Sequence, residues 1–308
     1  MAFTRDTPTP GVRQRTRLSP AWGFVAPFTV MFLAFYLAPI AYALVDSLFA
    51  TKSSGLGFGP PQRVFVFLRN YTDALSSPAF QASLGRLFLF CIIEVPLMVA
   101  TATVLALLLE TGKALWPRFF RVVYFMPYGV PGVIATLLWG FLYIPATSPV
   151  LQGLKAIGIG LVPLSSTNVL FAIANISLWL YAGYNMIILT AALQSIPTEI
   201  YEAARIDGAG EWKLIWLIKL PLIRGSIVLV TLFTVIGTLQ LFVEPLVLSP
   251  LTTAISSDFT PNMAAYANAF TKNNSSVAAA MAVIVAIIAF AMSYIFLRIV
   301  NSKGRQAW

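Results

Sequence analysis

Ser195-Ile-Pro-Thr-Glu-Ile-Tyr-Glu-Ala-Ala-Arg-Ile-Asp-Gly-Ala-Gly-Glu-Trp-Lys-Leu-Ile-Trp-Leu-Ile-Lys-Leu-Pro221 interrupts two long apolar runs with a polar, amphipathic segment. It reads as a short helix, a glycine turn and a second helix. Thr198 is a suitable N-cap with Pro197 before it, and Glu199 and Glu202 fall in the first turns, where the helix dipole favours negative charge. Ala203 and Ala204 are strong helix formers of minimal bulk, and Gly208 supplies a left-handed stop. This first helix is too short to span a bilayer and too polar to insert. It is expected at the cytoplasmic surface, presenting a small, partly acidic face that suits a groove on a partner. From Glu211 to Leu220 a second helix alternates Trp212, Leu214, Ile215, Leu217 and Ile218 with Lys213 and Lys219. That pattern lies in the membrane interface and leads into a crossing at Pro221.

The composition around this segment is that of a membrane protein. Of 308 residues, 58% are hydrophobic and 10% charged, and the mean hydropathy is +0.82. Soluble domains carry about 25% charged residues, so this chain has too little charge to cover a water-facing surface. A soluble enzyme is excluded. So is a nucleic-acid binder, because the net charge of +9 comes from short basic clusters between apolar runs. With no histidine, imidazole proton relays and His-ligated metals are ruled out. Cys91 has no partner cysteine and reads as a buried thiol. Gly112-Lys113 lacks both the upstream glycine and the following Ser or Thr of a nucleotide-binding loop, so the chain is not expected to hydrolyse ATP itself.

A bilayer crossing needs about 20 mainly apolar residues. Six such runs are legible: Trp22 to Val45, Leu84 to Leu109, Phe119 to Tyr143, Val169 to Leu193, Leu222 to Leu248 and Val277 to Val300. The first is too long for a secretory signal, despite Arg13, Arg15 and Arg17 before it and Ala41-Tyr42-Ala43 near its end, and is read as an uncleaved helix. With the N-terminus inside, the inner segments hold Arg5, Arg13, Arg15, Arg17, Lys113, Arg118, Arg121, Arg205, Lys213, Lys219, Arg224, Arg298, Lys303 and Arg305. The outer ones hold Lys52, Arg63, Arg69, Lys155 and Lys272, with Arg86 at a boundary. This bias places both termini in the cytoplasm. The expected fold is an all-α, multi-pass protein of the bacterial inner membrane. It has tails at 1–21 and 302–308, a transmembrane domain at 22–301 and the quoted segment, 195–221, between the fourth and fifth helices.

Outside the spans, Gly55 to Pro61 reads as a flexible turn region. Asn70-Tyr71-Thr72 and Asn274-Ser275-Ser276 have the pattern of sugar acceptors and are read as coincidental. Pro27, Pro39, Pro96, Pro127, Pro131, Pro145 and Pro245 lie within or beside the spans and are read mostly as helix bends.

Glu202-Ala203-Ala204, three residues, Gly208, nine residues, then Ile218-Lys219-Leu220-Pro221 resembles the EAA motif of permease subunits of ABC importers. Every fixed position is met. Ala26-Pro27, Tyr36, Pro39, Ser47, Leu68-Arg69-Asn70-Tyr71 and Phe119-Phe120-Arg121 leading to Pro127 are similar to the carbohydrate-importer, maltose-transporter-like branch, so the resemblance covers nearly the whole chain. It implies a transport subunit, not an enzyme, whose coupling helix carries Glu202, Ala203, Ala204, Asp207 and Gly208 and docks on an ATPase. The implied partners are a homologous second permease, two ATPase subunits, an extracytoplasmic sugar-binding protein and membrane lipid. ATP and Mg belong to the ATPase, and this chain needs no cofactor. In place of the family's Gly-Gly-Pro after the fifth span stands Ser249-Pro250-Leu251-Thr252-Thr253, which leaves the contact with the binding protein and the sugar open.

A sugar in a membrane passage needs hydrogen-bond partners and aromatic faces. Ser177, Leu180, Tyr181 and Tyr184 fall at i, i+3, i+4 and i+7 in the fourth span, and Thr234, Gly237, Thr238 and Leu241 do so in the fifth. Aligned on the EAA motif, these stripes match sugar-contacting positions of the maltose-type family. Such small and hydroxylated residues also serve ordinary helix packing. Glu94 and Glu244 are acids within spans and must be neutral, paired or near water. Glu244, four residues after Gln240, is placed with Gln240 in the pathway. Glu94, two before Pro96, is left between a backbone contact and the partner permease. Two other functions stay open: an ion-coupled secondary transporter acting alone, and an ABC permease for glycerol phosphate or a polyol. A membrane-embedded transferase is disfavoured because the acids are scattered rather than clustered.

Overall fold

The computed structural model describes residues 21–52, 62–110 and 116–304. The Gly55 to Pro61 turn region, the basic residues Arg5 to Arg17, the Gly112-Lys113 pair and the last residues of the C-terminal tail lie outside the described residues.

In chain order the elements are α1 (Trp22–Asp46), β1 (Phe49–Lys52), β2 (Gln62–Phe65), α2 (Arg69–Ser76), α3 (Pro78–Glu110), α4 (Pro117–Gly129), α5 (Gly132–Leu142), α6 (Pro149–Ala156) and α7 (Val169–Gln194). There follow α8 (Thr198–Ile206), α9 (Glu211–Leu222), α10 (Arg224–Leu239), α11 (Val243–Leu248), α12 (Pro261–Tyr266) and α13 (Ser275–Gly304). All six apolar runs are helical. Four of them, α1, α3, α7 and most of α13, are long and apolar enough to cross a bilayer as continuous helices. At 33 residues α3 is roughly 50 Å long by the helical rise, so its ends reach past a hydrocarbon core of about 30 Å.

The other two runs are bent more sharply than an ordinary proline bend. The third is α4 and α5 bent by 98°, and α9 meets α10 at 68°. The first bend follows from Pro131. A proline pushes the residue before it out of the helical region, and Val130 sits at φ −83°, ψ 127°. The second falls just after Pro221, at Ile223 with φ −90°, ψ 8°. The fifth run is interrupted again: α10 stops at Gln240, Phe242 adopts φ −150°, ψ −50°, and α11 begins at Val243. The Asn262 side-chain amide donates to the freed carbonyls of Leu239 (3.1 Å) and Leu241 (3.3 Å), so the break is internally satisfied.

The core is built on α3 and α7, which run against each other along most of their length. Leu87, Phe90, Ile173, Ile176, Leu180 and Leu239 form one buried cluster. Ala102, Ala106, Met186, Leu189 and Val230 form a second. Small residues allow close approach here, and the extreme case is Gly183 of α7: a Cβ at that position would lie 1.8 Å from the Tyr124 carbonyl oxygen of α4. At the other extreme, α1 buries none of its most apolar window within this chain.

The segment after α1 folds into a small hairpin, with Phe49 opposite Phe65 and Lys52 opposite Gln62. Arg63 pairs with Asp46 at 2.8 Å and lies over the Phe49 ring. Asn70 is buried, and its amide donates to the carbonyls of Ser47 (2.8 Å) and Phe49 (2.6 Å). The Asn70-Tyr71-Thr72 pattern is thus occupied by a structural role. Asn274 likewise accepts from the Val277 backbone at the start of α13.

Candidate functional site: a cavity at two helix breaks

The two interrupted runs face each other. A Cβ on Gly132, the first residue of α5, would lie 3.9 Å from Val243 Cγ1, at the first residue of α11. Around this meeting point opens a cavity of about 540 Å³, to whose wall α3, α7 and α10 also contribute. Irregular backbone at membrane depth is tolerated where it is buried in protein or lines a polar cavity.

Ser177, Tyr181, Tyr184, Thr234, Gly237, Thr238, Gln240, Leu241 and Glu244 all line this one cavity. The two helical stripes read in the sequence therefore converge. Leu180 does not belong with them: it is 2% exposed and packs in the core cluster beside Ile176. A stripe at i, i+3, i+4 and i+7 is wider than the opening, and its apolar member turns toward α3. Thr234 and Thr238 donate their hydroxyl hydrogens to the carbonyls of Val230 (2.8 Å) and Thr234 (2.7 Å), leaving oxygen lone pairs to accept from a solute.

Sequence reading missed several members of the wall. Tyr128, in the tight last turn of α4, stacks on Tyr184 at 4.7 Å between centroids and meets Tyr181 edge-on at 6.2 Å. Asn185, Phe233 and Phe242 also contribute. Glu94, singled out in the sequence as a span acid but not placed in the pathway, also belongs to the wall, and its buried carboxyl oxygens bond no backbone group among the described residues.

The quoted segment forms a second site. α8 runs from Thr198 to Ile206, but Thr198 is its first helical residue and not its cap. Pro197 holds the capping position, without a side-chain bond. At the other end the stop is as expected. Gly208 takes φ +78°, its N–H donates to Arg205, and the Ala209 N–H donates to Ala204, the paired closure of a glycine-terminated helix. Glu199, Glu202, Ala203 and Ile206 share one exposed face, and Ile206 is 86% exposed. Asp207 and Gly208 at the turn are exposed too.

The opposite face is anchored. Lys219, read above as one of the inner basic residues, is 4% exposed and donates to Glu110 at the C-terminal end of α3. Its ammonium also lies 5.3 Å from the centre of the Tyr201 ring of α8. Burial pushes the Tyr201 phenol up to about 12, and the neighbouring Glu110 carboxylate adds to the effect. The end of α3, distant in sequence, is thereby brought to α8 and α9.

Residues 99–306 match the family described as binding-protein-dependent transport system inner membrane component. The chain belongs to this family. The permease is 30% identical over 275 residues to a probable ABC transporter permease protein, YurN, of Bacillus subtilis, covering 88% of this chain and 92% of that one. It is 34% identical over 229 residues to the lactose transport system permease protein LacF of Rhizobium radiobacter, covering 72% and 74%. Its fold matches a chain in the crystal structure of a bacterial ABC transporter involved in import of the acidic polysaccharide alginate. The TM-score is 0.77 at 20% identity, over 93% of this permease and 95% of that chain. The permease is accordingly a multi-pass transport component and not an enzyme.

Proposed function

We propose that this permease forms half of the passage through an ATP-driven sugar importer of the bacterial inner membrane. The observation that carries the reading is the cavity where two broken helices meet, walled by tyrosine rings and by hydroxyl, amide and carboxyl groups. Tyrosine faces suit the C–H surfaces of a sugar and the polar groups suit its hydroxyls. The lactose permease among the relatives supports the same class. A homologous permease supplies the other half, an extracytoplasmic binding protein delivers the sugar, and two ATPase subunits holding ATP and Mg drive the cycle. Both termini and α8 are cytoplasmic.

In this reading α8 is the coupling helix. Its exposed face of Glu199, Glu202, Ala203 and Ile206 seats in the ATPase, while Tyr201 and Lys219 tie its back to α3. When ATP closes the ATPase pair, α8 moves with it and the cavity opens outward; hydrolysis resets it. The sugar must bind the two states with different affinity for the coupling to work.

The test is co-purification of the complex, followed by a sugar-binding screen on the external receptor and uptake by the reconstituted assembly. Glu202→Lys and Gly208→Pro are expected to lower coupled uptake by about 5–150-fold, the span of typical coupling free energies, with the chain still inserted. Proline can neither adopt φ +78° nor donate to Arg205. Wild-type co-purification of the ATPase with both variants would sink the docking role. ATP-independent uptake by this chain alone would favour an ion-coupled transporter.

A further inference from the structure

A row of aromatic rings leads away from the cavity. Phe242, at the break between α10 and α11, is half-buried and lines the cavity. Its ring centre lies 5.4 Å from that of Tyr266 at the end of α12, and Tyr266 lies 4.8 Å from Phe270. Exposure rises along the row, to 44% at Tyr266 and 70% at Phe270. Asn262, Tyr266 and Phe270 recur at four-residue spacing, so they share one face of the helical stretch. Asn262 on that face is the residue whose amide satisfies the break at Leu239 and Leu241. The turn that carries Phe270, Ala267–Thr271, is widened: the Lys272 N–H reaches back to the Ala267 carbonyl at 2.9 Å. Such π turns are frequent at functional sites. In the topology proposed above, Phe270 lies on the outer side, just before α13 starts its inward crossing at Ser275.

We propose that Phe242, Tyr266 and Phe270 form an entry track, along which the C–H faces of a sugar pass from the outer mouth of the permease to the cavity. Each ring offers an apolar face to the sugar while the sugar's hydroxyls stay in water. Neighbouring rings nearly touch, so a sugar can shift from one to the next without returning to bulk solvent. Tyrosine also anchors membrane interfaces, and the contact with Phe242 separates the two roles. Rings turned to acyl chains alone would not adjoin a wall that contains Thr238 and Gln240. The inference rests on the cavity being a sugar passage, and it gives that passage an outer approach within this chain.

The experiment uses the assembled transporter, both permeases and both ATPases, in liposomes, with monodisperse elution confirming assembly. Cys91 is the chain's only cysteine and is buried, so an introduced thiol stands out. Tyr266→Cys, Phe270→Cys and, inside the cavity, Thr238→Cys are treated from outside with a charged, membrane-impermeant methanethiosulfonate, with and without ATP and vanadate. Labelling of this chain is read by mass. Phe290→Cys, at an exposed position on α13 away from the row, is the control. The thiols at 266 and 270 are expected to react at least about tenfold faster than the one at 290, because the reactive thiolate needs water. Tyr266→Leu keeps apolar bulk without a ring. It is expected to slow receptor-driven uptake of radiolabelled glucose, galactose, lactose, maltose or sucrose by about 2- to 10-fold, the worth of one ring contact, while Tyr266→Phe keeps the wild-type rate. Thiols at 266 and 270 as silent as the one at 290, with Thr238→Cys labelled, overturn the track and leave the passage standing. Wild-type uptake by Tyr266→Leu does the same. Thr238→Cys silent in both conditions, or a wild type that takes up none of the five sugars, overturns the passage reading and the track together.

Discussion

Gly183→Ala is expected to destabilise the permease by about 3 kcal/mol or more. The added Cβ would sit 1.8 Å from the Tyr124 carbonyl oxygen, 2.4 Å from its carbonyl carbon and 2.9 Å from the Phe125 nitrogen. All three are backbone atoms, so no side-chain rotamer relieves the clash. α4 and α7 must separate. Separation opens the stack of Tyr128 on Tyr184, one turn from the contact, and with it the wall of the cavity. Overpacking costs about 1–3 kcal/mol where side chains can yield, and this case lies at or above the top of that range. Gly85→Ala on α3 is the control. Nothing among the described residues lies within 4 Å of a Cβ built there, and alanine in a helix is favoured over glycine by about 0.5–1 kcal/mol. Thermal unfolding of the purified protein should separate the two variants clearly. A Gly183→Ala protein that melts like the Gly85→Ala protein would refute the close approach of α4 and α7.

The second large effect is expected at the pair of Lys219 and Glu110. Glu110 ends α3, where the helix dipole disfavours an acid, and Lys219 supplies the compensating charge in a buried setting. Lys219→Met leaves the carboxylate buried without its partner, a change that costs about 3–5 kcal/mol. Glu110→Gln strands the ammonium in the same way. The double variant removes both charges and should recover much of the loss. That coupling, measured as a double-mutant cycle by thermal unfolding, distinguishes a true pair from two independent residues. Coupled uptake should fall in the single variants as well, because α8 is held to α3 through this point. Additive single and double effects would show that the pair transmits nothing.

The fold class was legible because it depends on local quantities. Six apolar runs, the scarcity of charge and the basic bias of alternate loops required no knowledge of which helix touches which. The helix–turn–helix of residues 195–221 was legible for the same reason, since Gly208 and the Ala203-Ala204 pair act within one or two turns. Thr198 was misjudged by one position, because Pro197 already occupies the capping conformation. The stripes on α7 and α10 found most of the cavity, since helical periodicity identifies a face.

Periodicity cannot say what that face looks upon, and the remaining features lie there. Leu180 belonged to the right stripe and turned inward to the core. Glu94 and Tyr128 joined the cavity through the placement of α3 and of the α4–α5 bend, which no pattern in their own segments announces. The constraint on Gly183 arises only from α4 lying against it, and Lys219, read as a charge on an interfacial helix, meets Glu110, 109 residues away. Chain-local chemistry was enough for the apolar runs and for the exposed short helix of residues 198–206. The cavity and the buried anchor arise from contacts between distant segments, whose energies depend on separation in space and not on order along the chain.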